Sequence, residues 1–455
     1  MNTLSWLQIF RLGLVQTALG SIVVLTTSTM NRVMVVELAM LATLPGLLVG
    51  LHYAVQILRP HWGHASDVGG RRTPYIVRGI AILALGAVTA SVSTAWMSTS
   101  ALSGVLLAMV AFVLVGVGVG VAGTSLLALL AARVDPNRRA AAASTVWLMM
   151  IFGFIVTAGT AGHFLDPFSF ERLVVVTSTV AALAFGLTVV ATWGVEPDAA
   201  PPLTTPNEEE PKPAFKDVLA EVWAEAKSRT FTIFVFVSML AYSTQDLILE
   251  PFAGAVFGLT PGQSTQLAGV QHQGVFIGMV LVGFAASGKR GPRFGSIRSW
   301  TVGGCLASGA VLFGLAIAGF VGPTWPIRPT VFALGLATGA FAVAAIGWMM
   351  SLAGDGKESR EGIRMGLWGG AQAVAFALGG VFGTIGVDVT RFLYGSTVLS
   401  YSMVFAVEAT LFLFSAILAA RMEPPPVRGE DWVPAELPTP EPAPAHARIA
   451  GATGD

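Results

Sequence analysis

The chain has 455 residues, of which 54% are hydrophobic and only 11% are charged, and its mean hydropathy is +0.71. A soluble domain carries about 25% charged residues, so this composition excludes an ordinary water-soluble protein and predicts a polytopic membrane protein. The formal net charge of zero gives no basic character for nucleic-acid binding, and the single cysteine, Cys305, excludes a disulfide framework and a cysteine-rich metal site.

Twelve runs of the sequence have the length of a membrane-spanning helix, about 20 mostly apolar residues. They predict an all-α membrane protein with twelve transmembrane helices in two six-helix halves. The first ten residues lack a basic start and a cleavage site, so we expect the first run to be a span and not a signal peptide. The runs lie near residues 12–30, 40–58, 76–96, 103–130, 144–162, 172–193, 231–256, 266–287, 299–320, 330–352, 364–387 and 396–420.

The basic residues alternate between the connections. Of the 26 Lys and Arg residues, 22 fall on one side, and the four on the other side are Arg32, Arg172, Arg328 and Arg391. Because Lys and Arg are retained on the cytoplasmic side, the pattern places both termini and the long central connection in the cytoplasm. Only an even number of spans allows this arrangement.

The first two runs carry polar residues and a glycine pair. Asn31, Arg32 and Glu37 come after the first apolar run and are predicted to form the outer end of helix 1, at the membrane edge, with Arg32 and Glu37 able to pair. Gly46 and Gly50 in the second run have the four-residue spacing that lets two helices approach closely. The glycines are therefore predicted to form a helix-packing face or a face for a partner.

The loop after the second run contains Gly63, Asp67, Gly70, Arg71 and Arg72. It resembles the signature of the major facilitator superfamily, in which an aspartate and a Gly-Arg-Arg/Lys sequence lie between helices 2 and 3. The aspartate can cap a helix and pair with an arginine, and the arginines can contact anionic lipid. The alternative is an ordinary basic loop that only fixes topology. A similar glycine-rich basic loop after the eighth run favours two parallel repeats.

Two patterns typical of soluble enzymes are rejected by their context. Residues 118–123 match a dinucleotide fingerprint and residues 283–290 nearly match a phosphate-binding loop. Neither follows a strand, and both lie in or directly after an apolar helix. We therefore expect no enzyme activity, no required cofactor and no metal site.

The connection between the halves and the tail are polar. Residues 195–229 are rich in proline and should form a cytoplasmic linker, within which residues 215–226 have the apolar spacing of an amphipathic helix at the membrane surface. Residues 1–194 and 230–421 are then the two six-helix halves. The tail, residues 422–455, is rich in proline and alanine and is predicted to be disordered.

Polar groups inside predicted spans are costly in lipid and suggest function. They are Gln245, Asp246 and Glu250 in the seventh run, His52 in the second, His272 in the eighth and Glu408 in the twelfth. They could contact a pigment or another polar cargo, with Asp246 and Glu250 the stronger candidates. For His52 and His272, the alternative is a core histidine whose hydrogen bonds are satisfied. We place His272 toward the outer part of its helix.

Small residues recur in the eighth and eleventh runs. Gly274 and Gly278, and likewise Gly366 and Gly370, have the four-residue spacing of a helix contact, and Trp368 lies between the last two. These residues are predicted to form packing faces or a face for a partner helix.

Four segments resemble one particular branch of the superfamily. They are residues 11–16 (RLGLVQ), 31–38 (NRVMVVEL), 71–76 (RRTPYI) and 365–373 (MGLWGGAQA). They resemble the PucC/LhaA family of phototrophic bacteria, also called the bacteriochlorophyll-delivery branch of the major facilitator superfamily. The resemblance covers about residues 4–420.

This resemblance implies an assembly factor for light-harvesting antenna complexes in the intracytoplasmic photosynthetic membrane. Its expected partners are antenna polypeptides within the bilayer, bacteriochlorophyll as a candidate cargo, and lipid, with no nucleic acid. The alternative from a different class is a proton-coupled small-solute transporter with Asp246 or Glu250 as the titrating group. Few polar groups lie in the predicted centre, which favours the assembly factor.

The topology is testable by cysteine labelling. With Cys305 replaced by alanine, single cysteines at 97–100 and 323–328 should react with an impermeant reagent from the periplasmic side, and cysteines at 200–212 and in the tail only from the cytoplasmic side. The physical reason is the retention of basic loops in the cytoplasm. A periplasmic central linker would overturn this topology.

Overall fold

The described part of the chain is a bundle of twelve helices. The computed structural model describes residues 3–59, 62, 71–135, 138–196, 223–286, 295–353 and 361–422. The helices are α1 Trp6–Glu37, α2 Thr43–Leu58, α3 Thr73–Met97, α4 Ala101–Arg133, α5 Arg139–Leu165, α6 Phe170–Thr192, α7 Ala226–Phe257, α8 Pro261–Ala286, α9 Ile297–Val321, α10 Ile327–Ala353, α11 Glu361–Tyr394 and α12 Thr397–Arg421.

The helices have the length and composition of membrane spans. Within the described ranges, eleven of them are long and apolar enough to cross a membrane, and α2 is a shorter apolar helix. The predicted all-helical, multi-pass fold is therefore confirmed.

Two predicted boundaries were wrong, whereas α1 ends at Glu37 as predicted. α11 runs on to Tyr394, and α7 begins at Ala226, inside the segment predicted as linker. The predictions ended both spans where polar residues began. In α11 the polar residue Asp388 continues the helix and is bonded to the start of α2.

The two halves repeat one packing scheme. In the first half, α1 packs on α5 and α6, α2 on α4, and α3 on α4 and α6. In the second half, α7 packs on α11 and α12, α8 on α10, and α9 on α10 and α12. Each contact thus has a counterpart six helices later. The halves meet through α5 against α8 and α2 against α11, and these two contacts correspond to each other in the same way.

The predicted glycine faces lie mostly inside the bundle. A Cβ atom on Gly46 would lie 2.0 Å from the Thr384 hydroxyl, and one on Gly50 would lie 2.9 Å from Val381, so both glycines seat α2 on α11. Gly274 and Gly278 seat α8 on α10, where a Cβ would lie 2.2 and 2.3 Å from backbone oxygens of α10. These four glycines are used in internal packing.

Trp368 and its two flanking glycines, Gly366 and Gly370, are treated differently by the fold: the tryptophan is a core residue. The Trp368 side chain is buried in the core of the second half, with its ring 4.9 Å from that of Phe231. A Cβ on Gly370 would meet open space. The contacts of Gly366 lie outside the described side chains. Of Trp368 and Gly370, Gly370 is therefore the one available to a partner helix.

A carboxylate links the segment after α6 to the start of α3. Glu196 accepts hydrogen bonds from the backbone amides of Arg72 and Thr73, at 2.8 and 2.6 Å, and from the Thr73 hydroxyl at 2.8 Å. A carboxylate at a helix N-terminus satisfies amides that have no partner in the helix. Glu196 therefore caps α3, a role that the sequence suggested for Asp67.

Several predicted segments lie outside the described residues. They are Gly63, Asp67 and Gly70 of the loop after α2, most of the linker with its amphipathic segment, and the tail.

A matched pair of glycines tests the packing. A Cβ on Gly304 of α9 would lie 2.8–2.9 Å from Phe341, including its backbone, whereas a Cβ on Gly303 would meet nothing within 4 Å. Gly304→Ala should force α9 and α10 apart and cost about 1–3 kcal/mol of stability. Gly303→Ala should be neutral or stabilising, because alanine favours a helix. Thermal unfolding in detergent measures both, and equal losses would contradict the assigned contact.

Candidate functional site

Polar side chains gather where the two halves meet. We call this region the seam; it is formed by α1, α2 and α5 of the first half and α7, α8 and α11 of the second. The end that carries the α1–α2 loop is called the outer end, after the predicted topology. Most polar groups that the sequence singled out lie at the seam.

α1 changes its winding as it enters the seam. Residues Leu25–Thr29 and Val33–Glu37 form π-helical turns on either side of Asn31 and Arg32. A π turn inserts an extra residue and so changes which side chains share a face, and such turns are frequent at functional sites. Thr29 at the end of the first π turn lies hydroxyl to hydroxyl with Thr265 of α8 at 3.0 Å.

Asn31 supplies a hydrogen bond that α7 lacks. Pro251 lies inside α7 and has no N–H to donate to the carbonyl four residues earlier, which is that of Leu247. The Asn31 side-chain amide donates to this Leu247 oxygen at 2.6 Å. In lipid an unpaired carbonyl costs several kcal/mol. The Pro251 helix therefore depends on a donor from the other half.

Arg32 and Glu37 form the predicted ion pair at the end of α1. The Arg32 side chain is 3% exposed and that of Glu37 33%. Arg32 also donates to the Leu259 carbonyl at 2.6 Å, just beyond α7. α7 therefore covers Arg32, and its pair with Glu37 is formed inside the protein.

Glu250 receives hydrogen bonds from both halves. Its carboxylate accepts from the hydroxyl of Ser28 on α1 and from that of Ser264 on α8. One carboxylate oxygen, Oε2, has no partner among the described residues. Glu250 thus belongs to the seam and ties the outer parts of α1, α7 and α8 together.

Asp246 lies further inward beside a row of aromatic rings. Gln271 of α8 is its hydrogen-bond partner, and it interacts electrostatically with Tyr53 and Tyr242. The ring of Phe376 lies 5.7 Å from that of Tyr53 and 5.8 Å from that of Tyr242. All three rings and Asp246 are half-buried. The row crosses the seam and combines flat apolar surfaces with one carboxylate.

The two candidate histidines have different surroundings. His52 is 2% exposed, and its Nε2 atom lies 3.0 Å from the Gln56 amide nitrogen. His272 is half-buried, lies near the middle of α8 and not toward its outer part, and faces Phe154 of α5 with ring centres 4.7 Å apart. The Nδ1 atom of neither histidine has a hydrogen-bond partner among the described residues. Because His272 is only half-buried, it is better placed than His52 to bind a group that enters the seam.

Gln245, which was also predicted to contact a pigment or cargo, does not face the other half. It is fully buried, and neither its amide oxygen nor its amide nitrogen has a partner. It lies two turns before Phe252 on α7, and Phe252 packs on Phe405 of α12. Gln245 therefore points into the second half.

Two carboxylates close the outer end of the seam in the same way. Asp388 of α11 accepts from the backbone amides of Ala42 and Thr43, at 3.0 and 2.7 Å, and from the Thr43 hydroxyl at 2.7 Å. Asp166, after α5, accepts from the Thr260 hydroxyl at 2.7 Å and from a backbone amide of α8 at 3.3 Å. Each carboxylate caps the first turn of a helix in the other half. We call these two interactions the outer clasps.

Sequence reasoning missed both outer clasps and the aromatic row. Asp388 fell one residue beyond the predicted eleventh span and was taken as loop. Asp166 fell in a short polar connection. One signal was available in the sequence. Each half has an acidic residue close to the end of an apolar run, and these two residues are about one repeat apart.

The described residues contain no group of three or more His, Cys, Asp or Glu side chains that could hold a metal ion. What the seam offers is flat apolar surface, a free imidazole nitrogen and buried carboxyl groups.

Known proteins resemble the chain over most of its length. Residues 29–425 match the family described as PUCC protein. The chain is 52% identical to the bacteriochlorophyll synthase 44.5 kDa chain of Rhodobacter capsulatus, over 92% of this chain and 95% of that one. It is 30% identical to protein PucC of Cereibacter sphaeroides, over 90% of each chain.

The fold also resembles that of a solved transporter. A structure reported for substrate recognition in proton dependent oligopeptide transporters superposes with a TM-score of 0.66, covering 91% of this chain and 97% of that one at 14% identity. At this identity the likeness concerns the fold alone. It confirms the predicted major facilitator arrangement.

Removing the outer clasps should loosen the seam. Charge-assisted hydrogen bonds contribute about 1.5–3 kcal/mol. In an Asp166→Ala/Asp388→Ala variant, a cysteine at the buried Thr265 position should react at least about tenfold faster with a soluble thiol reagent than in the parent, both with Cys305→Ala.

The control replaces Thr179 and Thr390 by alanine. These threonines only bond to carbonyls of their own helices, so their loss should leave the rate unchanged. Equal rates in the clasp variant and the control would show that the clasps do not hold the seam.

Proposed function

The chain belongs to the PucC family, and on that basis we propose that it is an assembly factor for bacterial light-harvesting antenna complexes. It works in the photosynthetic membrane, holds antenna polypeptides within the bilayer and handles bacteriochlorophyll. Membership of the family is the single observation that carries this proposal. The name of the Rhodobacter capsulatus relative, which refers to bacteriochlorophyll, adds support.

The chemistry of the seam is compatible with a chlorin. A chlorin is a large flat apolar ring whose magnesium takes an axial nitrogen or oxygen ligand. The aromatic row of Tyr53, Phe376 and Tyr242 offers flat surfaces, and His272 offers an imidazole nitrogen without a hydrogen-bond partner. His272 is the residue we assign to the pigment.

The partner polypeptides would dock from the lipid. Helices associate in lipid by close packing and a few polar contacts, since no hydrophobic force separates protein from lipid. The glycines of α2 and α8 are occupied by internal contacts, whereas Gly370 of α11 faces open space. We therefore assign the partner face to the part of α11 around Gly370.

We infer no catalytic role for the chain. The word synthase in the name of the Rhodobacter capsulatus relative is said of that protein. The seam of this chain contains carboxyl groups, but Glu250 is engaged with hydroxyl groups and Asp246 with the Gln271 amide. This arrangement favours a binding protein.

A proton-coupled small-solute transporter is the second candidate. Two carboxyl groups at the seam, the buried Glu250 and the half-buried Asp246, favour it. Loss of an assembly factor removes assembled antenna, whereas loss of a transporter removes the movement of a solute.

Deletion of the gene tests the proposal. Antenna absorption in membranes should fall while bacteriochlorophyll synthesis continues, because the missing step follows pigment synthesis. Complementation with His272→Phe should restore the protein but not the antenna. His163→Phe is the control, because His163 is exposed near the outer end of α5 and contacts only its neighbour Phe164 among aromatic rings.

Normal antenna absorption in the deletion strain, together with lost uptake or efflux of a solute, would establish the transporter instead. Full rescue by His272→Phe would show that His272 does not bind the pigment. It would not contradict the proposed assembly function, which rests on the family.

A further inference from the structure

A carboxyl group and an amide are buried together in the second half without hydrogen bonds. Glu408 of α12 is 1% exposed and Gln245 of α7 is 0% exposed. Neither oxygen of Glu408 has a partner, and neither the oxygen nor the nitrogen of the Gln245 amide has one. Four polar atoms without partners in one membrane-spanning half are costly, because lipid offers no hydrogen bonds.

Helix register places the two side chains opposite each other. α7 and α12 are antiparallel neighbours, and Phe252 of α7 lies 5.7 Å from Tyr401 and 4.9 Å from Phe405 of α12, between ring centres. Gln245 lies two turns before Phe252 on the same face, and Glu408 lies two turns after Tyr401 on the same face. The antiparallel direction brings these two positions to the same level.

The same level also contains Asp246. This carboxyl group interacts electrostatically with Glu408 on one side and with Tyr53 and Tyr242 of the seam on the other. Asp246 is half-buried, whereas Glu408 is enclosed. Asp246 is therefore the polar group between the enclosed pair and the seam.

Within the described side chains, the other elements around Glu408 bring no cation to it. α9, the principal neighbour of α12, contributes the buried Cys305 thiol, and α12 itself contributes Tyr401. On α11, Asp388 and Arg391 lie near Tyr401 at the outer end, as does Arg32 of α1. An ionised Glu408 would thus lie among apolar groups beside a second carboxyl group, which is the least favourable state for a buried charge.

A protonated Glu408 and Gln245 can together satisfy all four polar atoms. A protonated carboxyl group has one O–H donor and one carbonyl acceptor, and a glutamine amide has N–H donors and one carbonyl acceptor. Rotation of the two side chains toward each other would form a reciprocal pair, with O–H donating to the amide oxygen and N–H donating to the acid carbonyl.

We propose that Glu408 holds a proton in a hydrogen-bonded pair with Gln245, and that this proton exchanges with the seam through Asp246. The site is a proton-binding site of the second half. It lies outside the pigment contacts assigned above and does not depend on them. It joins α7, the helix that Asn31 and Ser28 hold from the first half, to α12.

Infrared spectroscopy of the purified full-length protein in lipid nanodiscs tests the proton. At neutral pH, Glu408→Gln should lose one carbonyl band of a protonated carboxyl group and no carboxylate bands, because its amide can still pair with Gln245. Glu37→Gln is the control. Glu37 pairs with Arg32, so this variant should lose carboxylate bands only.

Two further variants make the test complete. Gln245→Leu should shift the Glu408 acid band to higher frequency, as expected for a carbonyl that has lost its donor. Asp246→Asn should slow hydrogen–deuterium exchange of that band at least tenfold. Loss of carboxylate bands in Glu408→Gln, or no shift of an acid band in Gln245→Leu, would overturn the bound proton. Unchanged exchange in Asp246→Asn would overturn the route.

Discussion

The arrangement of the two halves depends on the pairing of polar groups away from water. Pro251 breaks the hydrogen-bond ladder of α7, and the carbonyl of Leu247 can find a donor only on a neighbouring helix. Asn31 provides it, and it can do so because α1 continues past Asn31 to Glu37, with π-helical turns on both sides of Asn31. The irregular winding of α1 and the proline of α7 are thus two parts of one interaction. Such irregularity is tolerated at membrane depth only where protein covers it.

The outer clasps extend the same constraint to the end of the bundle. The first turn of a helix has amides without intrahelical partners, and at the seam these amides find a carboxylate on the opposite half. Asp388 serves α2 and Asp166 serves α8, six helices apart. The repeat therefore includes the polar links between the halves as well as their packing. Any movement that opens the seam at this end has to break both links.

The sequence predicted what the bilayer dictates and missed what tertiary contacts decide. Span number, helical class and the ion pair of Arg32 with Glu37 followed from hydropathy and charge. The end of α11 did not, because a polar residue at the end of an apolar run resembles a loop until a covering helix is known. Tyr53, Tyr242 and Phe376 carried no signal, since aromatic residues are common in any span and only the fold brings these three together.

From the family relationship, the aromatic row and the His272 nitrogen without a hydrogen-bond partner, we propose a protein that receives a flat apolar pigment at the seam. The most direct measurement is the absorption spectrum of the protein purified from pigmented membranes, with bound polypeptides identified by mass spectrometry. The account predicts bacteriochlorophyll absorption together with antenna polypeptides, and loss of the pigment from His272→Phe. Purification without pigment and without antenna polypeptides, from a membrane that contains both, would contradict it.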